Sequence, residues 1–314
     1  MFGIAGRQVL KDKGFCPRTS RALPTEPKSN MPTLYLCGGL QSSGSTLVSW
    51  CFLQRSDMNG VLDAYNDVLP WFDPQGRTDL LWCKTTIGCF RLIEVIQHFQ
   101  DCGWNVPPLL IVRDVRKVWA SLVGKSYGLN GLTAEDPPLR LRFRRFLSDW
   151  ELFRDEKWPI LRYESLVADP ESTLRQACQD LALPWDDGMV RWPKAPQDIA
   201  CTENGNRTFW TTRGNGLRET IDSHVEHFKP QVVATDDWEW LEEVFGEFNS
   251  VNHYPLIMEV PATGYDRPTR FIPRFDVTRR SKWELQARPI LRFLSLVGFS
   301  SPNAVDQRAR RKAA

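Results

Sequence analysis

Short apolar runs alternate with longer amphipathic stretches through the first two thirds of the chain. Residues 33–37 (TLYLC) are a compact apolar run closed by Gly38-Gly39, which predicts a buried strand. The stretch 45–53 predicts a helix. Residues 80–83 (LLWC) predict a second strand, and a helix near 89–99 follows with Leu92, Ile93, Ile96 and Phe99 on one face. Residues 108–112 (PLLIV) predict a third strand. Asp114 is placed to cap the next helix, which carries Val118 and Leu122 at i,i+4 spacing. A strong helix is expected over 139–153 with the stripe Phe143, Phe146, Leu147 and Trp150, then a fourth strand over 159–162. Asp169-Pro170-Glu171 is a helix start, and Leu174, Ala177, Cys178 and Leu181 form that helix's buried face.

Strands alternating with helices imply βαβ units and a mostly parallel sheet flanked by helices, a three-layer α/β fold of the P-loop type. Ligands of such sheets bind at the carboxyl ends of the strands. Residues 1–30 read as a loose leader, 31–263 as the α/β domain, and 264–314 as an appendage with the basic tail Arg308, Arg310, Arg311 and Lys312. The stretch 186–230 reads as irregular, a length that in a globular protein is usually functional or mobile, and 235–248 as a further helix.

Composition narrows this picture modestly. The chain has 314 residues, 42% hydrophobic and 25% charged, with a formal net charge of +2. That balance argues against a nucleic-acid partner. No stretch reaches the length of a membrane span, and the polar first 30 residues lack the apolar core of a signal peptide. The eight cysteines are irregularly spaced without a C-x-x-C pair, which fits reduced thiols and a cytoplasmic setting.

The chemistry is concentrated just after the predicted strands. Gly39-Leu40-Gln41-Ser42-Ser43-Gly44-Ser45-Thr46 has the spacing G-x-x-x-x-G, followed by two small hydroxyl residues and a helix. Glycines allow a tight turn around an anion, and a helix N-terminus supplies free N–H donors. Ser45 stands where nucleotide triphosphatases carry lysine. By itself the loop fits either a phosphate cradle or a ligand-free strand-to-helix turn. After the third strand comes Arg113-Asp114-Val115-Arg116-Lys117-Val118-Trp119-Ala120-Ser121, in which Arg113 and Ser121 could clamp one phosphate monoester.

Taken together these segments resemble the family of sulfotransferases that use 3′-phosphoadenosine 5′-phosphosulfate (PAPS). Ser43-Gly44-Ser45-Thr46 matches the core of that family's 5′-phosphosulfate loop. Arg113 and Ser121 match the Arg and Ser of its 3′-phosphate motif in identity and spacing. Leu161-Arg162-Tyr163-Glu164-Ser165-Leu166 resembles its L-R-Y-E-D-L segment. The resemblance implies transfer of a sulfuryl group from PAPS to a hydroxyl or amine on a small-molecule or glycan acceptor, with no metal. It implies that Ser42 to Thr46 hold the 5′ side of the nucleotide, that Arg113 and Ser121 hold the 3′-phosphate, and that Tyr163 lies at the adenine. Thr212-Arg213-Gly214 loosely resembles the segment that closes over the 3′-phosphate, so Arg213 and Gly214 are candidates there, with Asn206-Arg207 in competition. Lys84-Thr85-Thr86 resembles the family's K-T-H, which makes Lys84 the candidate electrostatic stabiliser.

Two departures matter. Ser42 replaces the family's loop Lys or Arg, and Thr86 replaces its histidine base. Some branches use a carboxylate after the first helix instead, so Asp63 is the first candidate base and Asp67 the second. His98 lies on the helix after Lys84, and His224-Val225-Glu226-His227 matches no metal motif. The alternatives are a P-loop nucleotide kinase or hydrolase, and a non-catalytic PAPS-binding relative.

Overall fold

The computed structural model describes residues 31–62, 80–88, 90–124, 138–195, 199, 216–223 and 235–255. Five parallel strands form one sheet: β1 (Leu34–Gly39), β2 (Met58–Val61), β3 (Leu80–Thr86), β4 (Pro108–Val112) and β5 (Ile160–Arg162), in the order β2-β3-β1-β4-β5. β1 is central, with β3 on one side and β4 on the other. The chain therefore leaves β1 at a topological switch point, where open α/β sheets hold their ligands.

Alternation along β1 explains the three layers. Leu34 and Leu36 face one side and pack with α2 (Leu92–Asp101), α3 (Val115–Gly124), α4 (Pro138–Asp155) and, later in the chain, a helix over Thr235–Val251. Tyr35 and Cys37 face the other side. There they meet α1 (Ser45–Leu53), α6 (Pro170–Asp180), α7 (Gly188–Arg191) and α8 (Leu217–Ser223). A short helix, α5 (Tyr163–Ala168), follows β5, and the Thr235–Val251 helix is α9. Residues pointing to opposite faces at successive positions, both apolar, give a sheet buried on both sides.

The expected elements fall where the local pattern puts them, with instructive differences. β1 and β4 match, and α1 spans 45–53 as predicted. α6 starts at Pro170, with the Asp169 carboxylate accepting from Ser172 N at 3.3 Å. α2 begins at Leu92 rather than near 89, and its buried face is Leu92, Val95, Ile96 and Phe99. Ile93 lies about 100° round the helix from Leu92 and is only partly buried. In α4, Phe153 joins Phe143, Phe146 and Trp150 in the core, while Leu147 stays partly buried.

The start of α2 is set from a distance. Asp149, on α4, accepts from Leu92 N at 2.6 Å and from Arg91 Nε at 3.0 Å, capping α2 across 57 residues. β2 carries no strong apolar pattern. Its Gly60 lies so close to β3 that a Cβ would stand 2.7 Å from the Trp82 carbonyl carbon. Within the stretch expected to be irregular, the described residues include α7 and α8; Asp186 accepts from Gly188 N at 2.7 Å at the start of α7. The expected leader and the appendage from 264 onward lie outside the described residues. Among the described residues no helix is long and apolar enough to cross a membrane.

Candidate functional site

Three adjacent strands, β1, β4 and β5, deliver three segments to the carboxyl end of the sheet. The chain leaves β1 at Gly39 and turns through 40–44, with Ser43 N donating to Leu40 O at 3.0 Å. Ser42 (φ 68) and Gly44 (φ 91) both adopt left-handed backbone. Gly44 is the N-cap of α1, and no acidic residue occupies the first turn of that helix. The N-terminal turn of α1 therefore meets the loop with no carboxylate beside it, a geometry that suits an anion. Inside the turn, Ser43 is buried and its Oγ has no hydrogen-bond partner. A buried hydroxyl of that kind is costly unless something completes it.

Arg113 leaves the end of β4 and is only 6% exposed. Its Nη1 donates to the carbonyl oxygen of Ser42 at 2.8 Å. Its guanidinium lies 4.4 Å from the centroid of the Tyr163 ring. Tyr163, the first residue of α5, in turn lies against Gly44, where a Cβ would meet its ring atoms. Ser42, Arg113, Tyr163 and Gly44 thus form one closed stack that joins the loop to the ends of β4 and β5. The glycine is required twice over, by its positive φ and by the aromatic ring beside it.

Lys84 sits one strand away. The second strand, expected to end at Cys83, continues to Thr86, so Lys84 is a strand residue in register with Cys37, and Thr86 is in register with Gly39. Lys84 and Thr86 share a face of β3, being two apart. Lys84 is 4% exposed and its Nζ donates to Thr86 Oγ1 at 3.3 Å. The hydroxyl at the position where the family carries histidine thus serves as an acceptor for the buried ammonium.

Ser45 is buried at the start of α1, and Thr46 is half-buried beside it. Ser121 is half-buried two turns along α3. Asp63, Asp67, Arg213 and Gly214 lie outside the described residues, as do Asn206, Arg207, His224 and His227. The described chain reaches Leu62, one residue past β2, on the Lys84 side of the sheet's strand order.

Three buried thiols among the described residues, Cys37, Cys51 and Cys178, are unsuited to chemistry. Burial pushes the Cys37 thiol up to about 12, against the opposing pull of a Ser49 hydrogen bond and the nearby Lys84 charge. Burial likewise raises Cys51 and Cys178. Such thiols stay protonated at neutral pH and are poor nucleophiles. Among the described residues no group of His, Cys, Asp and Glu is arranged to hold a metal ion.

Two acidic residues to which the motifs gave no binding role, Asp114 and Glu164, support the stack. Asp114 caps α3 as expected, accepting from Arg116 N at 3.0 Å, and also pairs with the fully buried Arg116 guanidinium at 2.8 Å. Glu164, beside Tyr163, accepts from Asp114 N. In the sequence Glu164 stood out only as the acidic position of the L-R-Y-E-D-L-like segment, with no role attached to it.

The model of the sulfotransferase family matches residues 109–187, the stretch that contains Arg113, Ser121 and Tyr163. No curated protein matches the chain. Among solved structures, the chain is similar to a sulfotransferase domain from the curacin biosynthetic pathway. The identity is 13%, with 68% of this chain and 97% of that one covered and a TM-score of 0.44. A sulfotransferase domain from the Synechococcus PCC 7002 olefin synthase is similar at 14% identity, covering 70% and 97%, with a TM-score of 0.45. The mouse sulfotransferase SULT7A1 complexed with PAP is similar at 11% identity, covering 69% and 85%, with a TM-score of 0.41.

Proposed function

We propose that this protein is a PAPS-dependent sulfotransferase acting on a hydroxyl or amine of a small-molecule or glycan acceptor. The observation that carries the proposal is the closed stack of Ser42, Arg113, Tyr163 and Gly44 at the switch point of the sheet. It unites the three segments whose motifs resemble that family, and two of the three lie within the family match at 109–187.

In this reading the loop and the N-terminal turn of α1, with the Ser43 hydroxyl, bind the 5′ side of the nucleotide. Arg113 and Ser121 bind its 3′-phosphate, Tyr163 lies at the adenine, and Arg213-Gly214 closes over the 3′-phosphate. The acceptor oxygen or nitrogen attacks sulfur in line with the bridging oxygen. A new bond to sulfur forms as the bond from sulfur to the bridging oxygen breaks, and adenosine 3′,5′-bisphosphate leaves. Such a transfer depends on positioning and charge stabilisation. Lys84 offsets the negative charge that builds on the sulfuryl and bridging oxygens. Asp63, or Asp67 after it, takes the acceptor's proton. Ser42 leaves the loop without its own cation, and the Arg113 guanidinium bonded to the Ser42 carbonyl brings one to the same turn.

The test is calorimetric titration with adenosine 3′,5′-bisphosphate, AMP and ATP, followed by transfer of labelled sulfate from PAPS to a panel of alcohols, phenols, amines and oligosaccharides. Preference for the bisphosphate together with transfer is the expected result. Preference for ATP would make the protein a nucleotide kinase or hydrolase. Bisphosphate binding without transfer to any acceptor would make it a binding protein.

A further inference from the structure

Glu164 divides its two carboxylate oxygens between distant parts of the chain. Oε1 accepts from the backbone N–H of Asp114 at 3.0 Å, and Oε2 accepts from the Tyr254 hydroxyl at 3.0 Å. The first bond spans 50 residues and the second 90. Asp114 is the residue after Arg113, and Glu164 is the residue after Tyr163. The carboxylate therefore ties together the backbones that carry the two halves of the Arg113–Tyr163 stack.

The tie is anchored on its far sides as well. The Asp114 carboxylate is fork-bonded to Arg116, through Nε at 2.8 Å and Nη2 at 3.0 Å. Arg116 is fully buried and reaches Glu242 Oε1 at 3.1 Å and Pro255 O at 2.6 Å. Tyr254 is buried under the Arg162 guanidinium, 5.3 Å from its ring centroid, and packs on Phe248 of α9. Burial, and next the adjacent Glu164 charge, raise the Tyr254 phenol above its ordinary range, so it remains a donor at any physiological pH. α9 and the residues just after it are thereby joined to the turn after β4 through two buried side chains: Arg116, between Glu242 and Asp114, and Tyr254, on Glu164.

We infer that Glu164, held by Tyr254, is a positioning residue that sets the direction of Arg113 toward the 3′-phosphate of the nucleotide. The inference rests on the reading of the site given above. Glu164 itself touches Asp114 and Tyr254, not the stack. Its effect passes through the Asp114 N–H to the backbone on which Arg113 turns out of β4, and an oriented guanidinium fork binds a phosphate far better than a displaced one.

The experiment measures affinity for adenosine 3′,5′-bisphosphate and for AMP, by calorimetry on the full chain. AMP lacks only the 3′-phosphate, so the ratio of the two affinities reports on Arg113, whereas a general loosening lowers both alike. Glu164→Gln keeps the shape but cannot accept from both donors. It is expected to reduce the bisphosphate-over-AMP preference by roughly tenfold, the scale of one charge-assisted hydrogen bond. AMP affinity is expected to stay within about twofold, a change of under about 0.5 kcal/mol. An equal fall in both affinities, or an unchanged ratio, overturns the inference. If Glu164→Gln does not fold, judged by its thermal transition, Tyr254→Phe decides: removing only the hydroxyl should cost a few-fold in the same ratio, and an unchanged ratio refutes the role. A wild-type protein with no preference for the bisphosphate over AMP would instead overturn the nucleotide reading itself, and this inference with it.

Discussion

The Arg113 guanidinium donates to the backbone carbonyl of Ser42 at 2.8 Å, a bond between residues 71 apart in the chain. It makes the arginine part of the loop as well as part of the turn after β4. Ser42 holds a left-handed φ of 68, and the bond pins that conformation.

Arg113→Ala is expected to weaken adenosine 3′,5′-bisphosphate binding by several kcal/mol at most, since a charge-assisted bond contributes roughly 1.5–3 kcal/mol. AMP should lose less, through loosening of the loop alone. Calorimetry with both nucleotides checks this, and equal losses would mean that Arg113 does not read the 3′-phosphate.

Gly44→Ala should damage the site where most Gly→Ala changes are mild. At φ 91 a Cβ costs roughly 1–2 kcal/mol, and here it would also stand 2.7 Å from Tyr163 Cε2. The ring, lying under Arg113, must shift to admit it. A lower thermal midpoint together with lost nucleotide binding is expected. A variant with wild-type affinity would disconnect the Gly44–Tyr163 contact from binding.

Lys84→Ala is expected to lower turnover by roughly 10²–10³-fold, the scale for removing a donor that acts on developing charge, while changing the dissociation constant for PAPS far less. Steady-state kinetics with an independent binding measurement separates the two. Normal turnover with poor PAPS binding would assign Lys84 to ground-state anchoring.

Asp63→Asn keeps the side-chain shape and removes the basicity. Turnover should fall by roughly 10²–10⁴-fold with nucleotide affinity nearly intact, and the loss should shrink for acceptors of low pKa. Full activity toward a weakly acidic acceptor would reject Asp63, and Asp67→Asn would be the next variant to assay.

Asp149 makes a prediction about stability and pH. Burial raises its carboxyl from 3.8 to about 6, opposed by the Arg91 charge and the Leu92 N–H bond. A folded-state pKa above the unfolded one means the native state binds the proton more tightly. The contribution of this group to stability therefore increases as pH falls through about 6 toward the unfolded value of 3.8, and is constant above and below that window. Asn cannot titrate. The stability of wild type relative to Asp149→Asn should grow by roughly 3 kcal/mol across that window. Urea denaturation of both proteins at several pH values between 7.5 and 4 reads it (~1.4 kcal/mol per pKa unit); a constant or shrinking difference would contradict the raised carboxyl.

Sequence alone located those features that depend on neighbours within a turn or two. The apolar runs that became β1 and β4 and the Asp169-Pro170 start of α6 follow from periodicity and capping, which act between residues at most about four apart. The loop from Gly39 to Thr46 and Arg113 stood out as short motifs beside predicted strand ends, and Tyr163 through the resemblance of its segment to a known family. What required the tertiary structure was everything decided between distant segments. β2 is a strand because Gly60 lets it close on Trp82, not because its own residues are apolar. α2 starts at Leu92 because Asp149 reaches it from α4. Lys84 lies within a strand because β3 stays paired with β1 as far as Gly39 and Thr86. Glu164 gained a role only when folding brought Asp114 and Tyr254 to its two oxygens. Periodicity records which face of an element is apolar. Which element covers that face, and which polar groups meet once it is covered, are settled by packing two layers of helices against one sheet, where a buried donor without an acceptor is costly.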